Sequence, residues 1–189
     1  MTFLLVALAA APFSHVSHLK LKPACADCHR SAAASTRAED NNLPSAKACQ
    51  PCHRQAEIRA PGPRLVARFN HQLHLRLGNP APLLARAMDS GRYLSDAGRV
   101  RHLLSGVRNA CEACHRPDGE PGFPLMADCL VCHDQIDPPF SCERCHARGA
   151  ALKPATHTPD FLDSHPKSRL DKTTCAVCHG RRFTCLGCH

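Results

Sequence analysis

Cys25-Ala-Asp-Cys28-His29, Cys49-Gln-Pro-Cys52-His53, Cys111-Glu-Ala-Cys114-His115, Cys129-Leu-Val-Cys132-His133, Cys142-Glu-Arg-Cys145-His146, Cys175-Ala-Val-Cys178-His179 and Cys185-Leu-Gly-Cys188-His189 are seven copies of one pattern, Cys-x-x-Cys-His. They use all 14 cysteines of the 189-residue chain. On a helical turn, positions i, i+3 and i+4 share a face, so two sulfurs and one imidazole can meet a single flat ring. This is the attachment pattern of c-type haem. The two thiols add across the porphyrin vinyl groups and the histidine binds the iron from the proximal side.

A zinc ribbon, a thiol redox pair or a disulfide knot also uses Cys-x-x-Cys. None of them requires a histidine directly after the second cysteine. With 14 histidines in the chain, seven such followers by chance have a probability on the order of one in a hundred million. The cofactor expected is therefore haem c, in seven covalently attached copies. The proximal ligands expected are His29, His53, His115, His133, His146, His179 and His189.

The remaining histidines are His15, His18, His71, His74, His102, His157 and His165. Seven irons need seven sixth ligands, so number and supply match. The distribution matches too: two spare histidines precede the first two motifs, three precede the next three, and two precede the last two. Methionine is the alternative sixth ligand, but only Met1, Met88 and Met126 exist. Bis-histidine coordination is expected throughout, with the seven spare histidines as distal ligands.

Composition bounds the function. The formal charge of +8 would ordinarily point to nucleic acid or an anionic surface. Seven haems, each with two propionates and one iron, bring the total to about +1 oxidised and about −6 reduced. The basic side chains are then partners for propionates. Aromatic content is 4%, with no Trp and one Tyr, so the stacking platforms of single-strand binders are absent and no nucleic-acid partner is expected. Sixteen prolines and ten glycines predict a mostly irregular fold with short α-helices, negligible β structure and a haem-packed interior. The apoprotein is expected to be largely unfolded.

Residues 3–11, Phe-Leu-Leu-Val-Ala-Leu-Ala-Ala-Ala, are too short an apolar run to span a bilayer. They read as the core of a secretory signal peptide over 1–11, with Ala7-Leu8-Ala9 as a small-x-small cleavage site, although no Lys or Arg precedes them. Export, to the periplasm or beyond the cell, agrees with the cysteine chemistry. No other segment is long and apolar enough for a transmembrane span.

Three blocks are expected, forming one continuous haem-stacked unit: a two-haem block over 12–58, a three-haem block over 64–150 with an insertion at 75–101, and a two-haem block over 154–189. Ala60-Pro61-Gly62-Pro63 reads as the linker between the first two. Residues 54–110 hold no haem motif; in them helices are expected from Pro82 to Ser90, stopped by Gly91, and from a Ser95 cap through His102 to about Ser105, stopped by Gly106. The arginines there, Arg86, Arg92, Arg99, Arg101 and Arg108, read as a solvated face or as propionate partners. Phe13-Ser14-His15-Val16-Ser17-His18 and Phe69-Asn70-His71-Gln72-Leu73-His74 open the first two blocks as an internal repeat. Histidines at i and i+3 let one short helix serve two neighbouring irons, and Phe13 and Phe69 are expected to pack on porphyrin faces.

Phe-x-His-x-x-His followed by Cys-x-x-Cys-His, with few residues per haem, resembles the low-potential class III multihaem cytochromes c. The stretch from His157 through Asp160-Phe161 and His165 to His189 is similar to the C-terminal end of larger periplasmic multihaem cytochromes. The resemblance implies that the first histidine of each pair binds the first haem that follows: His15 with the haem of His29, and His71 with that of His115. In this chain His102 precedes the third motif and the first block holds two haems, both departures from the family pattern.

Filled coordination positions leave no iron open to substrate, and no Cys-x-x-Cys-Lys motif occurs, so no enzyme is expected and no catalytic residue is assigned. A multihaem reductase with an open haem is the enzymatic alternative. Electron transfer remains. Five residues (180–184) separate His179 from Cys185, and eight (134–141) separate His133 from Cys142, so adjacent porphyrins must lie close. The settings are a soluble shuttle serving redox partner proteins, a subunit of a membrane quinol oxidoreductase or outer-membrane conduit, and a subunit of an extracellular filament built from copies of itself. Seven complete motifs predict that the intact mass of the mature protein exceeds that of its polypeptide by seven haems; a fully matured protein carrying six would mark one motif as structural.

Overall fold

The computed structural model describes residues 13–54, 66–116, 122–133, 142–165 and 172–180. The apolar N-terminal run, the linker over 60–63 and Cys185, Cys188 and His189 of the last motif lie outside the described residues.

The described chain is short helices joined by irregular segments. In order they are α1 (His15–Leu19), α2 (Cys25–Cys28), α3 (Ala46–Cys49), α4 (His71–Arg76), α5 (Ala81–Asp89), α6 (Ala97–Val100), α7 (Ala110–Cys114), α8 (Met126–Leu130), α9 (Phe161–Ser164) and α10 (Lys172–His179). Single 3-10 segments cover Arg30–Ala34, Arg101–Leu104 and Cys142–Arg144. No strand occurs among the described residues; the one β feature there is an isolated antiparallel bridge between Val66 and His146. No described helix is long and apolar enough to cross a membrane. The expected fold class is the one observed.

α5 is the longest of these helices, and its start and stop are local chemistry. Asn79 Oδ1 accepts from Ala81 N at 3.0 Å, and Pro82 occupies the first turn, where its missing N–H costs nothing. Gly91, at φ 67°, ends the segment in the left-handed region that glycine enters freely. The second expected helix is corrected. Its cap is Asp96, not Ser95, with Asp96 Oδ1 accepting from Arg99 N. It tightens after Val100 into the 3-10 segment that carries His102, and Gly106, at φ 84°, follows. A four-residue α-helix cannot propagate far on its own hydrogen bonds, so tertiary packing decides its winding.

A protein core does exist, and the insertion builds it. Ala81, Leu84 and Met88, spaced i, i+3 and i+7, form the buried stripe of α5. They pack with Tyr93 and Leu104, and with Ala113 of α7 and Ala127 of α8, which belong to the third and fourth motifs. The core is small. Six of the eleven buried hydrophobics among the described residues are alanines. Phe13, Phe123 and Leu162 are 57%, 88% and 70% exposed. Large side chains thus line open space more than they meet each other, as expected of a chain folded around prosthetic groups.

Two arginines of the motif-free stretch, Arg101 and Arg108, form ion pairs with protein carboxylates. Arg101 clamps Asp89 with bonds of 2.8 and 3.1 Å, and Arg108 reaches Glu112 of α7 at 2.9 Å. These pairs are exposed and contribute little to stability. Leu84, 2% exposed, should be the sensitive position: Leu84→Ala is expected to cost about 2–4 kcal/mol in denaturation of the holoprotein followed by far-UV circular dichroism.

Candidate haem-binding sites

Each of the first five motifs folds as one tight turn. His29 N donates to Cys25 O at 2.9 Å, His53 N to Cys49 O at 2.9 Å, His115 N to Cys111 O at 2.7 Å, His133 N to Cys129 O at 2.9 Å, and His146 N to Cys142 O at 2.9 Å. The turn brings both sulfurs and the imidazole to one side, as the i, i+3, i+4 spacing requires. Polar groups at the helix starts hold it. Asp27 accepts from Ala24 N at 2.8 Å, Asn109 from Glu112 N at 2.9 Å, and Asp128 from Leu125 N at 2.9 Å.

Four of the motif thiols are held in their protonated form by burial. None of the twelve described cysteines forms a disulfide. Burial pushes the Cys129 thiol up to about 11, and burial likewise raises those of Cys25, Cys114 and Cys178. Zinc and thiol-redox sites need the deprotonated sulfur. No cluster of three or more His, Cys, Asp or Glu able to hold a metal ion occurs among the described residues. The zinc alternative therefore has no donor set there.

Four spare histidines face four motif histidines across the fold. Ring centroids are 6.1 Å apart for His15 and His29, 6.0 Å for His18 and His53, 6.2 Å for His74 and His133, and 6.1 Å for His157 and His179. That is too far for ring contact. It is the distance set by two metal–nitrogen bonds of about 2 Å in line, each followed by about 1.2 Å from nitrogen to ring centre. The residues present thus fit a six-coordinate iron between each pair.

The imidazoles are also oriented. His18 Nδ1 donates to Ser14 O at 2.7 Å, His74 Nδ1 to Asn70 O at 2.7 Å, His29 Nδ1 to Asn42 O at 2.7 Å, His115 Nδ1 to Gly122 O at 2.9 Å, and His165 Nδ1 to Phe161 O and Leu162 O, each at 3.0 Å. A carbonyl only accepts, so Nδ1 carries the proton and Nε2 keeps its lone pair for a metal.

The two Phe-x-His-x-x-His segments are the same device built twice. Ser14 Oγ accepts from Ser17 N at 3.3 Å, and Asn70 Oδ1 from Leu73 N at 2.8 Å. Phe13 and Phe69 stack on His18 and His74 at 4.5 and 4.4 Å, and meet His15 and His71 edge-on at 4.8 and 4.7 Å. Both phenylalanines therefore brace imidazoles directly. In the third block Phe161 stacks on both His157 and His165, at 4.5 and 5.2 Å.

The other spare histidines lie elsewhere. His71 Nδ1 is 3.4 Å from Ser35 Oγ and from Asn42 Nδ2, which ties α4 to the first block. His102 is exposed on its 3-10 segment, and His165 is half-buried at the end of α9. His146 sits on the Val66 bridge, beside Ala67 N and Arg68 N, which both donate to Cys145 O. Met88 is buried in the α5 core at 6% exposure, and Met126 opens α8.

Motif thiols are close across the blocks. Cys25 of the first motif lies within electrostatic reach of Cys111 of the third. Cys114 of the third lies within electrostatic reach of Cys129 and Cys132 of the fourth, Cys129 of Cys145 of the fifth, and Cys142 of Cys178 of the sixth. α2 and α3, of the first and second motifs, pack together.

Sequence reasoning missed the carbonyl acceptors and the caps. One signal was available: the residue between Phe and His is Ser14 or Asn70, both strong N-cap types. Asn42 and Gly122 had none, because a backbone carbonyl leaves no trace in side-chain identity.

A model of the family described as cytochrome c7 and related cytochrome c matches residues 11–64. That span holds His15, His18 and the first two motifs. No curated protein matches the chain, and no solved structure does. The match covers under a third of the chain and supports a multihaem c-type cytochrome with covalently bound haem c. From the repeat geometry, Asn70→Ala is expected to cost about 1 kcal/mol in holoprotein denaturation, while Asn70→Ser, which copies Ser14, stays within a few tenths.

Proposed function

We propose that the chain is a heptahaem electron carrier in which every iron is held by two histidines. The observation that carries this reading is the set of four cross-fold histidine pairs at 6.0–6.2 Å, each joining a spare histidine to a motif histidine. The pairing His15 with His29 agrees with the order implied by the class III resemblance. The Nδ1 donations to carbonyls support Nε2 ligation. His71, His102 and His165 serve the remaining irons, those of His115, His146 and His189, in this reading.

Each haem supplies an iron that alternates between ferric and ferrous states. The protein's own groups do the rest. Two imidazoles favour the ferric state more than a thioether does, which places the potentials low. Phe13, Phe69 and Phe161 keep the imidazoles from turning. Neighbouring thiols across the blocks support one continuous row: second, first, third, fourth, fifth and sixth motif. The chain thus passes electrons between redox partner proteins outside the cytoplasm without transforming a substrate.

Alanine replacement of a distal histidine tests this. His74→Ala should convert one haem of the seven to a high-spin, carbon-monoxide-binding form, seen by electron paramagnetic resonance and optical difference spectra. Spectra that stay fully low-spin would remove His74 as a ligand. The unaltered protein should show overlapping reduction steps, with no turnover of nitrite, hydroxylamine or peroxide above that of free haem; sustained turnover with a native high-spin signal would restore the reductase reading.

A further inference from the structure

At the junction of the third and fourth motifs, charge is buried. Arg116 directly follows His115, and Asp128 directly precedes Cys129. Arg116 Nη2 donates to Asp128 Oδ2 at 2.6 Å, and the two side chains are 6% and 4% exposed. Asp128 Oδ2 also accepts from Leu125 N at 2.9 Å, and Oδ1 accepts from the Tyr93 hydroxyl at 2.8 Å. Arg116 Nη1 donates to Ala113 O at 3.1 Å, inside the third motif. Every other ion pair among the described residues leaves at least one partner more than 40% exposed.

Tyr93 comes from the insertion and is itself 5% exposed. Burial, then the Asp128 carboxylate, pushes its hydroxyl well above the usual phenol range, so it stays a donor. The Cys114 and Cys129 thiols, one on each motif, both sense the Asp128 charge. Asp128 also caps α8, but a cap does not itself require a buried guanidinium beside it, and an apolar pair would serve packing as well or better.

We propose that Asp128 and Arg116 are positioning and tuning residues for electron transfer, a buried pair in which the carboxylate lowers and the guanidinium raises the reduction potentials of the third and fourth haems. This rests on the haem reading above. A negative charge in a low-dielectric site stabilises the more positive ferric iron and lowers its potential; a positive charge raises it. The Tyr93 hydrogen bond draws charge from the carboxylate and moderates its effect. The insertion thereby reaches two irons through one phenol.

The test is spectroelectrochemical titration of the holoprotein with haem content and thermal stability measured alongside. In Asp128→Asn, which keeps the shape and loses the charge, two of the reduction steps should move to more positive potential. In Arg116→Gln the same two steps should move to more negative potential. The double variant should return them toward their original values even though its stability falls. Steps that stay in place while the melting temperature drops, or single variants that shift all haems alike or in the same direction, would overturn the proposal and leave a purely structural role. Should either charge variant fail to mature, Tyr93→Phe decides: the same two steps move negative if the proposal holds and stay in place if it does not. Haem content reads out the underlying assignment separately, since loss of haems counts against the carrier reading while unmoved potentials at full haem content count only against the charge pair.

Discussion

A histidine that gives its Nδ1 proton to a backbone carbonyl has one lone pair left to offer, and most of this molecule is arranged around that constraint. His18 and His74 find the carbonyl four residues back, at Ser14 and Asn70. His29 finds it at Asn42 and His115 at Gly122. A carbonyl four residues back exists only if the intervening residues wind as a helical turn. The tautomer, the turn and the cap therefore form one object: unwinding the turn would release the ring and let the proton move. This is why a chain with so little helix still spends its helical turns at the haem motifs and at the segments facing them.

The fold class was legible because its cause is written in side chains. Seven Cys-x-x-Cys-His repeats demand seven local turns, and sixteen prolines forbid long elements. The paired histidines of the repeat were legible for the same reason, since i and i+3 spacing is a property of the chain. The helix over Ala81–Asp89 was legible from Pro82 and Gly91. What could not be read was whatever depends on parts of the chain meeting. Asp96 displaced Ser95 as the cap because two adjacent residues of similar capping strength cannot be ranked without knowing where the chain goes next. The core at Leu84 was invisible because Ala113 sits between two motif cysteines and Ala127 just ahead of another motif, where both read as filler. The partners of His71, His102 and His165 were not readable either, because assigning a ligand across dozens of residues needs the fold first.

The insertion changes how the protein part is to be regarded. A chain of this composition reads as ribbon wrapped on porphyrin. Yet α5 places a conventional apolar stripe against α7 and α8, and Tyr93 follows it into the same interior. The third and fourth motifs are thus joined by protein packing as well as by whatever ring contact the haems make. The first and second motifs lack this support: α2 and α3 pack together, but Ala38 is the one buried apolar residue of that block among those described. Stability is therefore uneven along the row, firm at its middle and dependent on cofactor at its start.

α1 is five residues long and carries His15 toward His29 and His18 toward His53. Successive residues of a helix are turned by about 100°, so side chains three apart diverge by roughly 60° about the axis. In the proposed reading, two metal centres hung from such a strut share one rigid crossbar. Neither can tilt or slide relative to the other without breaking the turn that Ser14 caps. A donor and an acceptor fixed in this way need little nuclear rearrangement when charge moves between them, and low reorganisation, more than driving force, is what lets an electron cross quickly in either direction. Speed here would be a property of a helix shorter than two turns.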